Sequence, residues 1–252
     1  NGESYGMFGT DIGDINNDGW LDIGSNSFGA GPGIHIYKNN KNGTWNQTYT
    51  FGSGNTFHYL QFGDMDGDGN LDFVASNYQG STFFVNGTGN FTLKKNGLPP
   101  LPNSNGFPYQ DVSLAGIDND GDDDFIFSDK YSNSGVCGVY AYKWNKTTQS
   151  WVNHSTGLPA FASTDKIMAA RAADIDMDGY ADIVCTSDLL NEVQIYKGNG
   201  GASWTKMYAL ALPKFSGAED IAIADIDHSG YPDVLVWGSF LGGGIFTPKK
   251  KY

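Results

Sequence analysis

The sequence predicts an all-β fold in which one four-stranded antiparallel unit is repeated along the chain. Three observations support this prediction. Glycine occurs 35 times and aromatic residues make up 14% of the 252 residues, a composition that favours short strands and tight turns over helices. A compact cluster of acidic residues recurs five times. Short apolar runs flank every cluster, which is the pattern of strands on either side of a turn.

The acidic cluster is a nine-residue loop, and its copies begin at residues 14, 64, 116, 174 and 225. Successive copies are therefore 50, 52, 58 and 51 residues apart. A third apolar run follows each loop and its flanking strands, and a fourth run opens with an aromatic residue: Trp45, Phe91, Trp151 and Trp204. An aromatic residue that recurs at one repeat position indicates packing within the sheets rather than contact with a ligand.

Units of about fifty residues with four strands each predict a β-propeller with five blades of four antiparallel strands. We expect one domain over residues 1–252, with repeats at about 5–52, 53–106, 107–162, 163–216 and 217–252. Only a short polar segment follows Ile245 and Phe246. The fifth unit therefore lacks a recognisable fourth strand, and we expect the last blade to be incomplete.

The loops have the chemistry of calcium sites. Ca²⁺ takes six to eight oxygen ligands, and a loop with carboxylates at positions 1, 3, 5 and 9 plus a backbone carbonyl at position 7 supplies them. Glycine at position 6 permits the sharp turn. The predicted ligands are Asp14, Asn16, Asp18, Trp20 and Asp22 in loop 1; Asp64, Asp66, Asp68, Asn70 and Asp72 in loop 2; Asp118, Asp120, Asp122 and Asp124 in loop 3; Asp174, Asp176, Asp178, Tyr180 and Asp182 in loop 4; and Asp225, Asp227, Ser229, Tyr231 and Asp233 in loop 5.

The loops are not equal, because Gly116 takes the place of the first ligand in loop 3. We expect loop 3 to bind calcium most weakly, giving four or five Ca²⁺ ions in all. The alternative is that the loops are simple Asp-Gly turns. The recurrence of three or four carboxylates within nine residues argues against it, since no basic residue stands nearby in the sequence to offset their repulsion.

Composition excludes two classes of partner. The formal net charge is −13, which argues against binding to nucleic acid because phosphates require a basic surface. The sequence has no apolar stretch long enough to span a membrane, so we expect no membrane insertion. Two cysteines, Cys137 and Cys185, are too few for a disulfide scaffold. They are compatible with a single bridge between neighbouring blades and equally with two buried thiols.

Six Asn-X-Ser/Thr sequons indicate a glycoprotein. They fall in the turn between the third and fourth strands or on the fourth strand itself, at the outer rim of the blades. Glycans there would cover exposed strand edges. Together with loops suited to millimolar Ca²⁺, the sequons predict a secreted or cell-surface location. The sequon asparagines are Asn42, Asn46, Asn86, Asn90, Asn145 and Asn153.

The loop sequence also resembles a known family. Residues 62–73 read Phe-Gly-Asp-Met-Asp-Gly-Asp-Gly-Asn-Leu-Asp-Phe, similar to the FG-GAP or VCBS repeat of integrin α-chain propellers, certain fungal lectins and many microbial surface proteins. The resemblance covers essentially the whole chain and implies a calcium-binding propeller, without implying one activity. Relatives in this family usually have seven or eight blades, so five is a departure. Either the ring closes irregularly or the chain is part of something longer.

For function, the sequence favours recognition over catalysis. The four histidines occupy unrelated repeat positions, and no nucleophile elbow or phosphate-binding glycine loop occurs. We expect a non-catalytic recognition or adhesion module whose ligand is a glycan or an extracellular protein. The candidate ligand residues lie on the face opposite the calcium loops, where aromatic rings and amides suit sugars. They are Tyr78, Gln79, Tyr109, Tyr131 and Phe161.

Two alternatives stay open from the sequence. The chain is also compatible with a structural subunit of a surface layer, filament or appendage, in which the open fifth blade pairs with another copy or with a longer assembly. A polysaccharide-lyase-like enzyme is the second alternative, because some lyase propellers resemble this repeat.

Overall fold

The computed structural model describes residues 9–27, 33–51, 59–76, 81–99, 111–129, 136–162, 167–187, 190–201, 203–212, 218–238 and 242–246. Over these residues the chain is all-β and contains no helix. Its strands form five separate antiparallel sheets, one for each acidic loop, which we call blades 1 to 5. The all-β fold built from repeated antiparallel sheets, which the sequence predicts, is therefore confirmed.

In every blade the strands lie in sequence order, except for one short additional strand in blade 3. Blade 1 contains β1 (Thr10–Gly13), β2 (Asp22–Ser27), β3 (Gly33–Asn39) and β4 (Trp45–Phe51). Blade 2 contains β5 (Leu60–Gly63), β6 (Asp72–Ala75), β7 (Ser81–Val85) and β8 (Phe91–Leu93). Blade 3 contains β9 (Asp111–Ala115), β10 (Asp124–Asp129), β11 (Val136–Asn145), β12 (Ser150–Asn153) and a short additional strand, β13 (Ala160–Ala162).

The last two blades complete the series. Blade 4 contains β14 (Ile167–Ala173), β15 (Asp182–Ser187), β16 (Glu192–Lys197) and β17 (Thr205–Ala211). Blade 5 contains β18 (Ala218–Ala224), β19 (Asp233–Gly238) and β20 (Gly242–Phe246). Its sheet has three strands in the described part of the chain, as the sequence predicts for the last blade. The strand β13, which pairs with the start of β11, falls where the sequence shows only a connecting loop.

The core lies between the blades rather than within them. Four apolar clusters each join one blade to the next, from blades 1 and 2 through to blades 4 and 5. The middle strands are consequently buried on both faces, and every residue of β6 and β15 is buried. First strands of successive blades are neighbours in space. The blades therefore stack face to face in chain order.

The aromatic residue that opens the fourth strand ties its blade to the preceding one. The Trp151 indole Nε1 donates a hydrogen bond to the Lys94 carbonyl of blade 2 at 3.0 Å. In the same way, Trp204 Nε1 donates to the His154 carbonyl of blade 3 at 2.8 Å. Phe91 packs against Tyr49 of blade 1, with their ring centroids 4.3 Å apart. These contacts confirm the packing role predicted for the recurring aromatic in blades 2, 3 and 4.

The starts of the first strands converge on one arginine. Arg171 of β14 pairs with Asp111 of β9 and donates to Asp220 Oδ1 of β18 at 2.9 Å. Its guanidinium carbon also lies 5.9 Å from the centroid of the Tyr59 ring, beside β5. Burial raises the pKa of Asp111 to about 6, and the adjacent Arg171 opposes that rise. One side chain thus links four blades along their common inner edge.

Only one of the two cysteine side chains lies within the described residues. Cys185 is buried on β15, the second strand of blade 4. Cys137 is on β11, the third strand of blade 3, as expected, but its side chain lies outside the described residues. The choice between a bridge and two thiols stays a prediction, and thiol labelling of the unfolded, unreduced protein would decide it.

Candidate metal centres

Each acidic loop joins the first strand of a blade to the second, and loops 1, 2, 4 and 5 are each held by their own first residue. In loop 2, Asp64 Oδ1 accepts a hydrogen bond from the Asp68 N–H at 3.1 Å, and Asp64 Oδ2 accepts one from the Gly69 N–H at 2.9 Å. Asp14, Asp174 and Asp225 accept the same two bonds in loops 1, 4 and 5. The position 1 carboxylate therefore preforms the loop before any ligand arrives.

Backbone conformation follows the same repeat. The glycine at position 6 has a positive φ in all five loops, for example 83° at Gly69 and 96° at Gly121. This left-handed conformation favours glycine because a side chain would clash with the backbone. The prediction that position 6 needs glycine for a sharp turn is confirmed. Position 4 also has a positive φ in every loop, which the sequence does not reveal because four different residue types occupy it.

The carboxylate at position 9 is buried and links the loop to the third strand of the blade. In loop 2, Asp72 Oδ2 accepts a hydrogen bond from the Met65 N–H at 3.0 Å, and Asp72 Oδ1 accepts one from the Val85 N–H of β7 at 2.7 Å. Burial raises the pKa of Asp72 to about 8, and that of Asp124 in loop 3 to about 7, although these backbone hydrogen bonds oppose the rise. A nearby cation would offset the cost of burying these charges.

Three loops bring carboxylates together as a metal site requires. In loops 2, 4 and 5 the carboxylates at positions 1, 3 and 9 each offer an oxygen within 4.8 Å of the others. The three sets are Asp64, Asp66 and Asp72; Asp174, Asp176 and Asp182; and Asp225, Asp227 and Asp233. Loop 1 has Asn16 at position 3 and loop 3 has Gly116 at position 1, so every loop with aspartates at all three positions brings them together.

Several ligand-position oxygens are buried without a hydrogen-bond partner. They include Oδ1 of Asn16 and Oδ1 of Asp66, both at position 3 of their loops, and Oδ1 of Asp233 at position 9 of loop 5. Burial, together with the neighbouring Asp68 and Asp64, raises the pKa of Asp66. A buried polar atom without a partner costs about 1–3 kcal/mol, and more if it is charged. A hard cation that prefers oxygen ligands fits these oxygens.

Loop 3 is built differently. Where the other loops have an aspartate, Gly116 offers no carboxylate to hold the loop. The Lys143 ammonium, from β11, instead pairs with both Asp118 and Asp120. These hydrogen bonds raise the pKa of Lys143, although burial opposes the rise. The side chain of Asp122 pairs with Lys146 at 2.8 Å. Loop 3 therefore already contains a cation from its own chain.

Lysines also reach loops 1 and 4. Lys38 Nζ lies 3.3 Å from Asp18 Oδ2 in loop 1, and Lys197 pairs with Asp176 and Asp178 in loop 4. Lys38, Lys143 and Lys197 each follow the tyrosine of a third strand that pairs with the second strand. No basic residue is near these clusters in the sequence, but the inference that the chain does not offset their repulsion is wrong for loops 1, 3 and 4, because the sheet brings in lysines some twenty positions away.

The loops of neighbouring blades touch one another. Asn17 Nδ2 in loop 1 donates to Asn70 Oδ1 in loop 2 at 2.6 Å, and Asn119 Nδ2 in loop 3 donates to the Gly179 carbonyl in loop 4 at 2.8 Å. The Asp64 N–H donates to Asp123 Oδ2 at 3.0 Å, which joins loops 2 and 3. The acidic loops of blades 1 to 4 thus form one continuous face, which we call the loop face.

The turns between third and fourth strands lie on the same face, since Lys41 and Lys146 reach from them into loops 1 and 3. Five of the six sequons lie in these turns or on the fourth strand, whereas Asn145 is the last residue of the third strand, β11. Five of the six sequon asparagines are exposed, and Asn145 is partly buried at the end of β11. The exposed ones are Asn42, Asn46, Asn86, Asn90 and Asn153.

The predicted ligand residues cannot be placed in the same way. Tyr78, Gln79, Tyr109 and Tyr131 lie outside the described residues, and only the backbone of Phe161, in β13, is described.

Comparison with protein families supports the repeat geometry. The model of the FG-GAP-like repeat matches residues 14–75, 64–127, 116–185 and 174–236. Each match begins at one acidic loop and ends on the second strand of the following blade. The chain belongs to the FG-GAP-like repeat family. These repeats are typical of extracellular or cell-surface proteins, where they form propeller-like modules for adhesion or recognition. No curated protein matches the chain.

The described part of this FG-GAP-like chain contains no helix with the length and apolar character needed to cross a membrane.

Proposed function

We propose that this FG-GAP-like chain is a calcium-stabilised, non-catalytic extracellular module for recognition or adhesion. The observation that carries the proposal is the pair of buried, unpartnered oxygens on Asn16 and Asp66, at the same position of two preformed acidic loops. A loop that is already closed by its first carboxylate, yet leaves a ligand oxygen without a partner, is suited to receive an ion.

The chemistry of the loops favours calcium as that ion. All side-chain ligands are oxygens, and Ca²⁺ accepts six to eight of them in a flexible arrangement, whereas Mg²⁺ requires near-octahedral geometry and retains water. Loop 2 has a complete acid set, with the buried Phe84 in place of a lysine on its third strand. Loops 1 and 4 must release Lys38 and Lys197, whose side chains are 44% and 39% exposed and can turn to solvent.

Calcium binding in this proposal supports recognition indirectly. Ions on the loop face hold the hairpins and neutralise much of the net charge of −13. The sequence predicts that the opposite face carries the connections between blades and the turns between second and third strands, and it places Tyr78, Gln79, Tyr109, Tyr131 and Phe161 in these segments. Aromatic rings stack on sugar rings and amides bind hydroxyl groups, so we propose a glycan as the ligand.

Two experiments test the proposal. Isothermal titration of the metal-free protein should show binding of Ca²⁺ with little heat from Mg²⁺ at equal concentration. Calcium-loaded protein should then bind a subset of glycans on an array, and Tyr78→Ala with Gln79→Ala should reduce that signal while leaving calcium binding unchanged. Absence of any glycan signal from calcium-loaded protein would contradict the proposal that the ligand is a glycan. Shortening of a polysaccharide by the protein would overturn the non-catalytic role.

A further inference from the structure

The four internal interfaces between blades use the same positions each time. The apolar residue at position 2 of a loop faces the following blade; it is Ile15, Met65, Ile117 or Ile175, and no more than 5% of its surface is exposed. It packs in one cluster with a first-strand residue of that blade; these residues are Phe62, Leu114, Ala172 and Ile223. Every blade therefore has a face for the following blade and a different face for the preceding one.

At the two ends of the series these faces are open. Ile226, at position 2 of loop 5, is 45% exposed, and Ile245 on β20 is 56% exposed. The residue of blade 4 that is equivalent to Ile245 is Ile195, which occupies the same place in the strand pairing and is only 4% exposed. Trp237 of β19 is exposed on the same side as these two isoleucines. We call Ile226, Trp237 and Ile245 the trailing face.

Blade 1 exposes the complementary face, which in the other blades is covered by the preceding blade. Ile12 is the counterpart of Phe62 and Leu114, which are at most 8% exposed, yet Ile12 is 59% exposed. Leu21 and Trp45, which correspond to Leu71 and Phe91 of blade 2, are also exposed. We call Ile12, Leu21 and Trp45 the leading face. Since Ile12 and Ile226 are both exposed, the leading and trailing faces do not cover one another within one chain.

We propose that the trailing face of one copy packs against the leading face of a second copy. The two faces are the halves of an interface that occurs four times inside this chain, so each face fits the other and does not fit itself. The contact is therefore heterologous, or head to tail, and it leads to a closed ring or to a growing chain of copies. Apolar patches that stay open on a soluble protein mark such interaction sites.

Sedimentation velocity of the whole chain in calcium, over a range of concentrations, tests this proposal. The wild-type protein should associate as its concentration rises. Ile245→Asp removes one face and Ile12→Asp removes the other, so each variant alone should need at least about tenfold higher concentration to associate. A one-to-one mixture of the two variants should form pairs that grow no further, because each variant retains the face that the other lacks.

Controls separate this result from misfolding. Leu190→Asp alters an equally exposed apolar side chain, 46% exposed, in the turn between β15 and β16, and should associate like the wild type. Circular dichroism and melting should be the same for all variants, since the altered residues are exposed. A wild-type chain that sediments as a monomer at every concentration overturns the proposal. So does an Ile245→Asp variant that associates at the same concentration as the wild type, because pairing would then join like faces.

Discussion

Loops 2 and 3 occupy equivalent positions in adjacent blades but differ in how the repulsion between their clustered carboxylates is offset. Loop 2 has its first carboxylate, Asp64, and a buried oxygen of Asp66 without a partner. Loop 3 has Gly116 in place of that carboxylate, and the Lys143 ammonium pairs with two of its aspartates. One loop is prepared for an ion from solution, and the other carries its own cation.

Besides Gly116, the difference depends on one residue of the third strand. In blade 3 the residue after the tyrosine that pairs with the second strand is Lys143, and in blade 2 the equivalent residue is the buried Phe84. Phe84 packs into the core between blades 2 and 3 and leaves loop 2 without an internal cation from its own blade. Loops that share aspartates at positions 3, 5 and 9 can therefore differ in their need for calcium partly because of a residue outside the loop.

Removal of calcium should produce the largest effect. Each bound site stabilises the folded state by about 1.4 kcal/mol when free Ca²⁺ is tenfold above its dissociation constant. Several such sites approach the ~5–15 kcal/mol stability of a whole domain. We expect chelation to lower the melting temperature by many degrees, as followed by differential scanning calorimetry. Addition of excess Ca²⁺ should restore it, and identical melting curves with and without chelator would contradict the calcium claim.

Single ligand substitutions test whether loop 2 depends on calcium more than loop 3 does. Asp66→Ala removes a ligand from loop 2, whereas Asp118→Ala removes the equivalent residue from loop 3, which already lacks its first ligand. In calcium we expect Asp66→Ala to lower the melting temperature by several degrees more than Asp118→Ala. In chelator this order should vanish or reverse, because Asp118 then still pairs with Lys143. An equal loss for both variants in calcium would show that the loops are not different.

Loop 3 should be convertible into a calcium site. A side chain at Gly116 would meet the Asp122 carbonyl at 3.2 Å, a close contact that a small backbone shift relieves. Gly116→Asp combined with Lys143→Gln should therefore add one calcium ion in titration calorimetry. Lys143→Gln alone is the control and should add none of comparable affinity. Failure of the double variant to bind the extra ion would mean that Lys143 is not what replaces calcium.

Most of the fold could be predicted from the sequence, because repeat spacing and strand alternation are local features. The five loops, the glycine at position 6 and the packing of Trp151 and Trp204 all follow from the repeat. The role of Lys143 could not be predicted, since it depends on strand pairing that brings residues some twenty positions apart into contact. The position of the lysines on three third strands, after a tyrosine, is the signal that could have revealed it.

The exposure of apolar residues on the first and last blades also could not be predicted from the sequence. Ile12 and Ile226 look like the core residues of the other repeats, and only the position of their blades at the two ends leaves them exposed. Arg171 is a similar case, because nothing in the repeat shows that one arginine would join Asp111 to Asp220 across two interfaces.

A smaller effect should appear in the pH dependence of the calcium-free protein. The folded-state pKa of Asp72 is about 8 because the carboxyl is buried, whereas an unfolded aspartate has a pKa of about 3.9. The folded state thus holds this proton more tightly, so the contribution of Asp72 to stability is most favourable at low pH and declines as pH rises towards 8. We expect the calcium-free melting temperature to be higher at about pH 6 than at about pH 8. Asp72→Asn should weaken this dependence, and a melting temperature that rises with pH would contradict it.

Calcium stoichiometry measured by metal analysis, after gel filtration in low calcium, tests the central claim most directly. The account predicts about four ions for the wild-type chain, one for each loop that keeps its first ligand. It also predicts that Asp66→Ala loses one ion while Asp118→Ala loses none. A wild-type chain with fewer than about two ions, or an equal loss from both variants, would contradict it.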